Sequence, residues 1–196
     1  MRRARPLQRL TVLLATALMG TACAAVQVRD DVLQGGLPWA PPPGGTLGRV
    51  SVWPETTWRP DQKEQASREA MAHAAITQAF AEFPHGTVSE IRPVTPWAAE
   101  SEAERLAAAK AAGNDTVVMV RVSELGPLLY LSLPVLWSTY SDVKFRLRLV
   151  SLDSGQVLLD AERHRQVGGP FALRGTQPLT SEMEIALRDA LGLPSR

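Results

Sequence analysis

The sequence predicts a single domain of the α/β (α+β) class, a mixed sheet of about five strands packed by about three helices. Three segments carry apolar residues at helical spacing, and several others show strand-like alternation or a short continuous apolar run. Glycine and proline separate these segments. From residue 49 the predicted order is βαβαβββα or βαβαββα. The length of 196 residues suits one such domain.

The first predicted strand and helix form the start of this domain. Residues 49–53 predict a strand that Pro54 ends. A helix is predicted for about residues 61–83, with Asp61 as its cap and Glu64 completing a capping box. The apolar face of this helix consists of Ala72, Ile76, Ala79, Phe80 and Phe83.

The next elements place one strand at an edge and another at the centre of the sheet. Residues 87–94 predict a strand near an edge, because Pro93 cannot donate a ladder hydrogen bond. A second helix runs from residue 96 or from a capping box at Ser101 to residue 112. Residues 117–120 are apolar at every position, which predicts a central strand covered on both faces.

Residues 142–166 predict a β-hairpin with a turn at residues 153–155. Only one register keeps apolar residues together on one face. The opposite pairs it predicts are Leu149 with Leu159, Leu147 with Ala161, Arg148 with Asp160, and Arg146 with Glu162. Lys144, Arg146 and Arg148 could form an anion-binding stripe. Because two of them have carboxylates opposite, we interpret this face as a solvated one.

The last predicted element is a helix that follows the hairpin. A capping box from Ser181 to Glu184 begins it, and Gly192 ends it. Its apolar stripe consists of Met183, Leu187, Ala190 and Leu191.

Residues 1–22 have the pattern of an export signal. Four arginines precede an apolar run of roughly ten residues, against the ~20 that a spanning helix needs. Small residues, Gly20-Thr21-Ala22, then lead into Cys23, the one cysteine of the chain. We expect a signal peptide that is cleaved and not a membrane span.

The segment ending at Cys23 resembles the lipobox of bacterial lipoproteins. The resemblance implies cleavage before Cys23, a covalent diacylglyceryl group on its sulfur and an acyl group on its amine. Ala24 resembles the following residue of lipoproteins sorted to the outer membrane, which implies the inner leaflet, facing the periplasm. The alternative is a free cysteine near the amino end of a soluble precursor.

Residues 23–48 are rich in proline and glycine and show little periodicity. We expect a tether that holds the domain of residues 49–196 away from the membrane. The alternative is an arm that packs on the domain through Val32, Leu33, Leu37 and Trp39.

Charge and motifs exclude several kinds of function. Four of the 21 basic residues and none of the 20 acidic ones lie in residues 1–22, so the remaining chain has a formal charge of −3. That balance disfavours nucleic acid as a partner. No catalytic or nucleotide-binding motif occurs, and His73, His85 and His164 lack metal-ligand spacing. We therefore predict no catalytic residue, no metal and no cofactor beyond the lipid on Cys23.

The segment of residues 125–140 is apolar at nearly every position, and Pro127 and Pro134 exclude a spanning helix. It could be an exposed contact for a partner protein or the membrane interface, or a strand pair folded onto the domain's own core. The candidate contact residues are Leu129, Tyr130, Leu131, Leu133, Trp137 and Tyr140.

The element order, with residues 113–120 (GNDTVVMV) leading from a helix into the central strand, is similar in outline to a group of periplasmic α/β domains. The group includes the curli-secretion lipoprotein, the penicillin-binding-protein-activator lipoproteins and the amino-terminal domain of the Tol translocation protein. The resemblance implies a non-catalytic envelope protein that works through protein contacts, sometimes as a homo-oligomer.

We therefore predict a membrane-anchored cell-envelope lipoprotein that acts by protein–protein binding or assembly. One alternative is a tethered periplasmic hydrolase acting on cell-wall or lipid material. A second alternative is a subunit of an oligomeric envelope export complex.

Overall fold

A computed structural model describes residues 26–36, 38–41, 45–131 and 137–194. The predicted signal peptide, Cys23 and Leu133 lie outside the described residues. The helices are α1 (Gln65–Phe80), α2 (Glu102–Ala111) and α3 (Leu179–Ala190), with a 3-10 turn at Ala99–Ser101. The strands are β1 (Gln27–Gln34), β2 (Arg49–Thr56), β3 (Thr87–Ile91), β4 (Thr95–Pro96), β5 (Thr116–Tyr130), β6 (Ser138–Ser151) and β7 (Val157–Pro170).

The strands form one mixed sheet in the order β1-β7-β6-β5-β2-β3, with β4 paired to β2. The neighbours β1, β7, β6 and β5 are antiparallel, whereas β2 runs parallel to β5, β3 and β4. The predicted single α+β domain is confirmed, with seven described strands in place of about five. The predicted edge position of the strand before Pro93 is also confirmed, because β3 ends the sheet.

The two faces of the sheet are covered unequally. On one face, α1 and α3 pack over the main core, in which Val52, Phe145 and Leu187 are almost fully buried. On the other face, a smaller core includes residues of α2, such as Ala109, together with Met119 of β5. Residues 117–120 are buried throughout, as predicted for a central strand. Beyond this smaller core, the second face carries mainly polar side chains.

Strand β1 corrects the prediction of a tether. Residues 27–34, expected to be a linker, pair with β7 along the sheet edge, with Gln27 opposite Gly168. Trp39 is buried, and its backbone N–H donates to the carbonyl of Ala190 at 2.9 Å. The alternative of a packed arm is therefore the correct one for this part. Val32 and Leu33 do not supply the packing, because both are exposed.

The helices occur where predicted, but their capping boxes do not form. Helix α1 begins at Gln65, and Glu64 before it has a left-handed φ of 57° and no side-chain cap. The hydroxyl of Ser101 donates to the carbonyl of Ala98 at 3.4 Å, and that of Ser181 donates to the carbonyl of Pro178 at 2.9 Å. Each serine thus bonds to a carbonyl three residues earlier instead of capping the helix.

The β6–β7 hairpin has the predicted register. All four predicted opposite pairs occur, including Leu149 with Leu159 and Arg146 with Glu162. The ion pairs, however, run diagonally across the two strands. Their members are Lys144 with Glu162 at 2.7 Å and Arg146 with Asp160 at 2.5 Å, while Arg148 reaches Glu102 of α2 at 2.6 Å.

Candidate functional site

An exposed group of apolar side chains lies where β5 ends, β6 begins and β7 ends. Tyr130 of β5 pairs with Ser138 of β6, and Ser138 pairs on its other side with Pro170 of β7. We call this group the apolar end. Its members are Leu129 (60% exposed), Tyr130 (50%), Leu131 (74%), Phe171 (45%) and Leu173 (88%). Exposed apolar side chains that gather at one end of a sheet are typical of a contact surface.

The structure divides the apolar segment of residues 125–140 between core and surface. Leu125 is fully buried, and Tyr140 is buried with its ring 5.7 Å from that of Tyr130. Trp137 is half-buried, and its ring lies edge-on to Phe171 at 5.3 Å. One part of the segment therefore belongs to the core, and another part is exposed surface. Contact of the exposed part with a membrane or partner stays a prediction.

Phe171 and Leu173 belong to the apolar end but were not among the predicted contact residues. The backbone N–H of Phe171 donates to the carbonyl of Trp137 at 3.0 Å. The hydroxyl of Thr139 donates to the carbonyl of Ala172 and accepts from the N–H of Arg174 at 2.9 Å. These bonds fix the loop after β7 to the start of β6. In the sequence, Phe171 and Leu173 stand in a stretch of mostly glycine, proline and polar residues. That position was the one sequence feature that could have identified them as contact residues.

The described chain starts beside the apolar end. Because Gln27 is opposite Gly168, β1 begins at the same end of the sheet at which β7 finishes. Val26 is 54% exposed and lines a shallow cleft together with Leu173. Three residues of chain reach at most about 10 Å. In the sequence, Cys23 is three positions before Val26.

A polar cluster lies on the second face of the sheet, on β5, β6 and β7. The Nε2 atom of His164 is 2.6 Å from Asp142 Oδ1, which also accepts from the amide of Gln166 at 3.0 Å. Burial, with the nearby charge of Asp142, raises the pKa of Glu124, although Arg59 opposes the shift. Among the described residues, no hydroxyl or thiol hydrogen-bonds to the His164 ring. The pair therefore has no described nucleophile beside it.

Two further features of the described chain bear on its chemistry. Its His, Cys, Asp and Glu side chains form no group of three or more that could hold a metal ion. None of its helices is long and apolar enough to cross a membrane.

Comparisons with known proteins give structural likenesses alone. No protein-family model and no curated protein matches the sequence. The chain is similar to a PelC dodecamer from Paraburkholderia phytofirmans, with 13% identity over 88% of this chain and 100% of that chain, and a TM-score of 0.44. It is also similar to a neuraminyllactose-binding hemagglutinin homolog from Helicobacter pylori, with 12% identity over 75% of this chain and 80% of that chain, and a TM-score of 0.40.

A third likeness is to lipoprotein GNA1162 from Neisseria meningitidis, with 16% identity over 61% of this chain and 83% of that chain. Its TM-score is 0.34. At these identities and TM-scores, none of the three likenesses assigns a function to this chain.

Proposed function

We propose that this protein is a membrane-anchored lipoprotein of the bacterial cell envelope that acts by binding a partner protein and not by catalysis. The observation that supports the proposal most directly is the position of the apolar end. It lies beside Val26, three residues after the cysteine that completes the lipobox-like segment. A lipid on Cys23 would bring these exposed side chains to the membrane surface.

The short connection decides how the domain would lie at the membrane. A tether of about 25 residues would have a reach of ~30 Å, whereas the residues from Cys23 to Val26 span at most about 10 Å. The domain is then held against the bilayer. Leucine, tyrosine and phenylalanine are suited to the boundary between water and acyl chains. The apolar end would therefore lie in the membrane interface and add to the anchor.

In this orientation the polar cluster on the second face of the sheet stays in water. His164 and Asp142 pair there, and Lys144 pairs with Glu162. Charges of both signs on an open sheet face can give orientation and specificity to a protein contact. We assign the partner protein to this face. Self-association into a homo-oligomer stays a prediction.

The anchor is tested by metabolic labelling with an alkyne analogue of palmitate. The unmodified chain should incorporate the label, and Cys23→Ala should abolish it. A second variant, Thr21→Ser, keeps a small residue before the cysteine and should label normally. Labelling that survives in Cys23→Ala would remove the lipoprotein part of the proposal.

Binding is tested by photocrosslinking in living cells. A photoreactive residue at position 131 of the apolar end should give lipid adducts, and one at position 144 of the polar face should give a discrete protein adduct. A residue at position 154, in the turn at the far end of the hairpin, is the control. No protein adduct from the polar face would contradict the binding function. No lipid adduct from position 131 would contradict the membrane contact.

A further inference from the structure

A cleft of about 600 Å³ lies beside the apolar end, between the start of β1 and the loop that follows β7. Its walls are formed by Val26 and by residues 172–178, the segment that leads into α3. Leu173, one of these lining residues, also belongs to the apolar end. The cleft is therefore continuous with the surface that we place at the membrane interface.

The loop that forms the cleft is held at both of its ends. At its start, Phe171 has a left-handed φ of 59°, which is uncommon for a residue with a bulky side chain. The backbone N–H of Arg174 donates to the hydroxyl of Thr139 at 2.9 Å. At the end of the loop, the N–H of Leu179 donates to the carbonyl of Thr176 at 3.1 Å. Backbone strain that neighbouring contacts maintain is concentrated at functional sites.

The polar side chains of the cleft are not used within the described chain. They are those of Arg174, Thr176 and Gln177, and none of them makes a hydrogen bond or an ion pair with another described residue. Arg163 and Arg165 on the neighbouring strand, by contrast, are both paired with carboxylates. The Arg174 side chain is half-buried and not closed off from solvent. Its guanidinium group is therefore available to a ligand.

The charge of the cleft limits the kind of ligand. Among the described residues that line it, Arg174 alone is charged, and none is a carboxylate. A guanidinium group binds phosphate and carboxylate oxygens through paired, charge-assisted hydrogen bonds. An ammonium group on the ligand would find no carboxylate on these walls. The complementary ligand therefore has one negative charge, no positive charge, and neutral polar groups for Thr176 and Gln177.

The apolar residues of the cleft favour a lipid as the source of that negative charge. Val26 is 54% exposed and Leu173 is 88% exposed, so apolar side chains flank the charged one. At a membrane interface, leucine would contact the acyl chains, while the longer side chain of Arg174 would extend to the level of the phosphate groups. A free anion in water would make no use of the two apolar walls.

We propose that this cleft binds the headgroup of an anionic phospholipid of the phosphatidylglycerol type. The phosphate oxygens accept from the guanidinium group of Arg174, the headgroup hydroxyls bond to Thr176 and Gln177, and the acyl chains lie along Val26 and Leu173. The cleft volume falls within the ~300–1,000 Å³ of small-molecule sites. This proposal rests on the proposed function, because it takes the membrane contact of the apolar end as given and names the lipid recognised there.

The test is native mass spectrometry of the lipidated chain released from lipid nanodiscs. The discs contain equal amounts of phosphatidylglycerol, phosphatidylserine and phosphatidylcholine. The chain should retain phosphatidylglycerol in preference to both others. Phosphatidylserine has the same net charge but adds an ammonium group, and phosphatidylcholine has no net charge. An excess of inorganic phosphate should not displace the retained lipid.

Three variants identify the residues that hold the headgroup. Arg174→Gln should lower the retention of phosphatidylglycerol at least about tenfold, because it removes charge-assisted hydrogen bonds. Thr176→Val keeps the shape of an exposed side chain, removes its hydroxyl group and should also lower retention. Arg49→Gln is the matched control. Arg49 is exposed, has no side-chain partner within the described chain, and begins β2 at the opposite end of the sheet. Its substitution should leave retention unchanged.

Several results would overturn the headgroup site. They are equal retention of phosphatidylglycerol and phosphatidylserine, displacement by inorganic phosphate, unchanged retention in Arg174→Gln, and an equal loss in Arg49→Gln. Each differs from a failure of the proposed function, which the palmitate labelling and the adducts at position 131 report. A chain that passes both of those tests but shows no headgroup preference keeps its anchor and its membrane contact and lacks this site.

Discussion

Arg163 holds Asp30 by two hydrogen bonds: Nε donates to Oδ1 at 2.6 Å, and Nη2 donates to Oδ2 at 2.5 Å. The two residues are 133 positions apart. Arg165 donates to the same carboxylate at 2.9 Å, and Arg163 also donates to the carbonyl of Ala186 in α3 at 3.0 Å. One carboxylate thus connects the first strand to β7 and, through Arg163, to the last helix.

The first prediction concerns this connection. Asp30→Asn should destabilise the fold by about 2 kcal/mol, because it removes the negative charge beside a mostly buried Arg163 and puts an NH2 group, which cannot accept a hydrogen bond, in place of one carboxylate oxygen. Urea unfolding measures the loss. Hydrogen exchange should also become faster for the backbone amides of β1. Asp31→Asn is the matched control, since Asp31 is the exposed neighbour on the opposite face. Equal effects of the two substitutions would contradict the role of Asp30.

The second prediction is a pH dependence. Burial alone would raise the pKa of Asp30, but the hydrogen bonds and charges of Arg163 and Arg165 hold it below its ordinary value of 3.8. A carboxyl with a lowered pKa in the folded state stabilises the fold above its unfolded pKa. That contribution is lost as the pH falls through the lower, folded pKa.

The stability difference between the natural chain and Asp30→Asn should therefore be constant from neutral pH down to about pH 4 and should shrink below it. Urea unfolding of both chains along a pH series measures it. The difference, and not the stability of either chain, is the quantity to compare, because the pKa values of Glu90 and Asp160 are lowered as well. A difference that grows on acidification would contradict the sign of the effect.

The β6–β7 hairpin shows what the sequence could predict. Its alternation of Phe145, Leu147 and Leu149 with charged residues permits one register, and Gly155, in the predicted turn, has a left-handed φ of 69°. These are local constraints between neighbouring residues. The same applies to the buried run of residues 117–120. Local periodicity was therefore sufficient for the central sheet and for the existence of the helices.

Strand β1 and the ion pairs of the hairpin arginines could not be predicted in this way. Local composition indicated a linker at β1, whereas the strand is held by partners in β7 that are distant in sequence. Opposite pairing on the hairpin predicted that its arginines were neutralised, but Arg148 pairs with Glu102 from another element. The backbone N–H of Trp97, just after β4, donates to the carbonyl of Thr56 in β2 at 3.0 Å, and the Trp97 ring lies against Arg121 of β5. Each of these features is a tertiary contact without a local pattern.

The third prediction concerns Gly168, which supports the apolar end. A Cβ atom at this position would lie 2.0 Å from the carbonyl oxygen of Thr139 and 2.7 Å from the Cα of Tyr140. Because both are backbone atoms, Gly168→Ala should force β6 and β7 apart and cost about 1–3 kcal/mol. Gly175→Ala is the control, since nothing lies within 4 Å of its Cβ position. Urea unfolding that ranks the two variants equally would contradict the close packing.

The fourth prediction is the orientation of the domain on a membrane. Strand β6 runs for 14 residues from the apolar end toward the turn at residues 153–155, a distance of roughly 45 Å. Leu131→Cys and Ser154→Cys each introduce one site for a fluorophore. The label at position 131 should be quenched by nitroxide lipids in vesicles that carry the lipidated protein. The label at position 154 should not be quenched.

Labelling is specific because Cys23 is the one natural cysteine, and the proposed lipid would block its sulfur. A label at Leu173→Cys serves as a matched position, because Leu173 is the other highly exposed leucine of the apolar end and comes from a different loop. Quenching at positions 131 and 173 together requires the apolar end to face the bilayer as a unit. Equal quenching at position 154 would mean that the domain lies along the bilayer and not on its apolar end. No quenching at any of the three positions would mean that the domain is held away from the bilayer despite the short connection to Cys23.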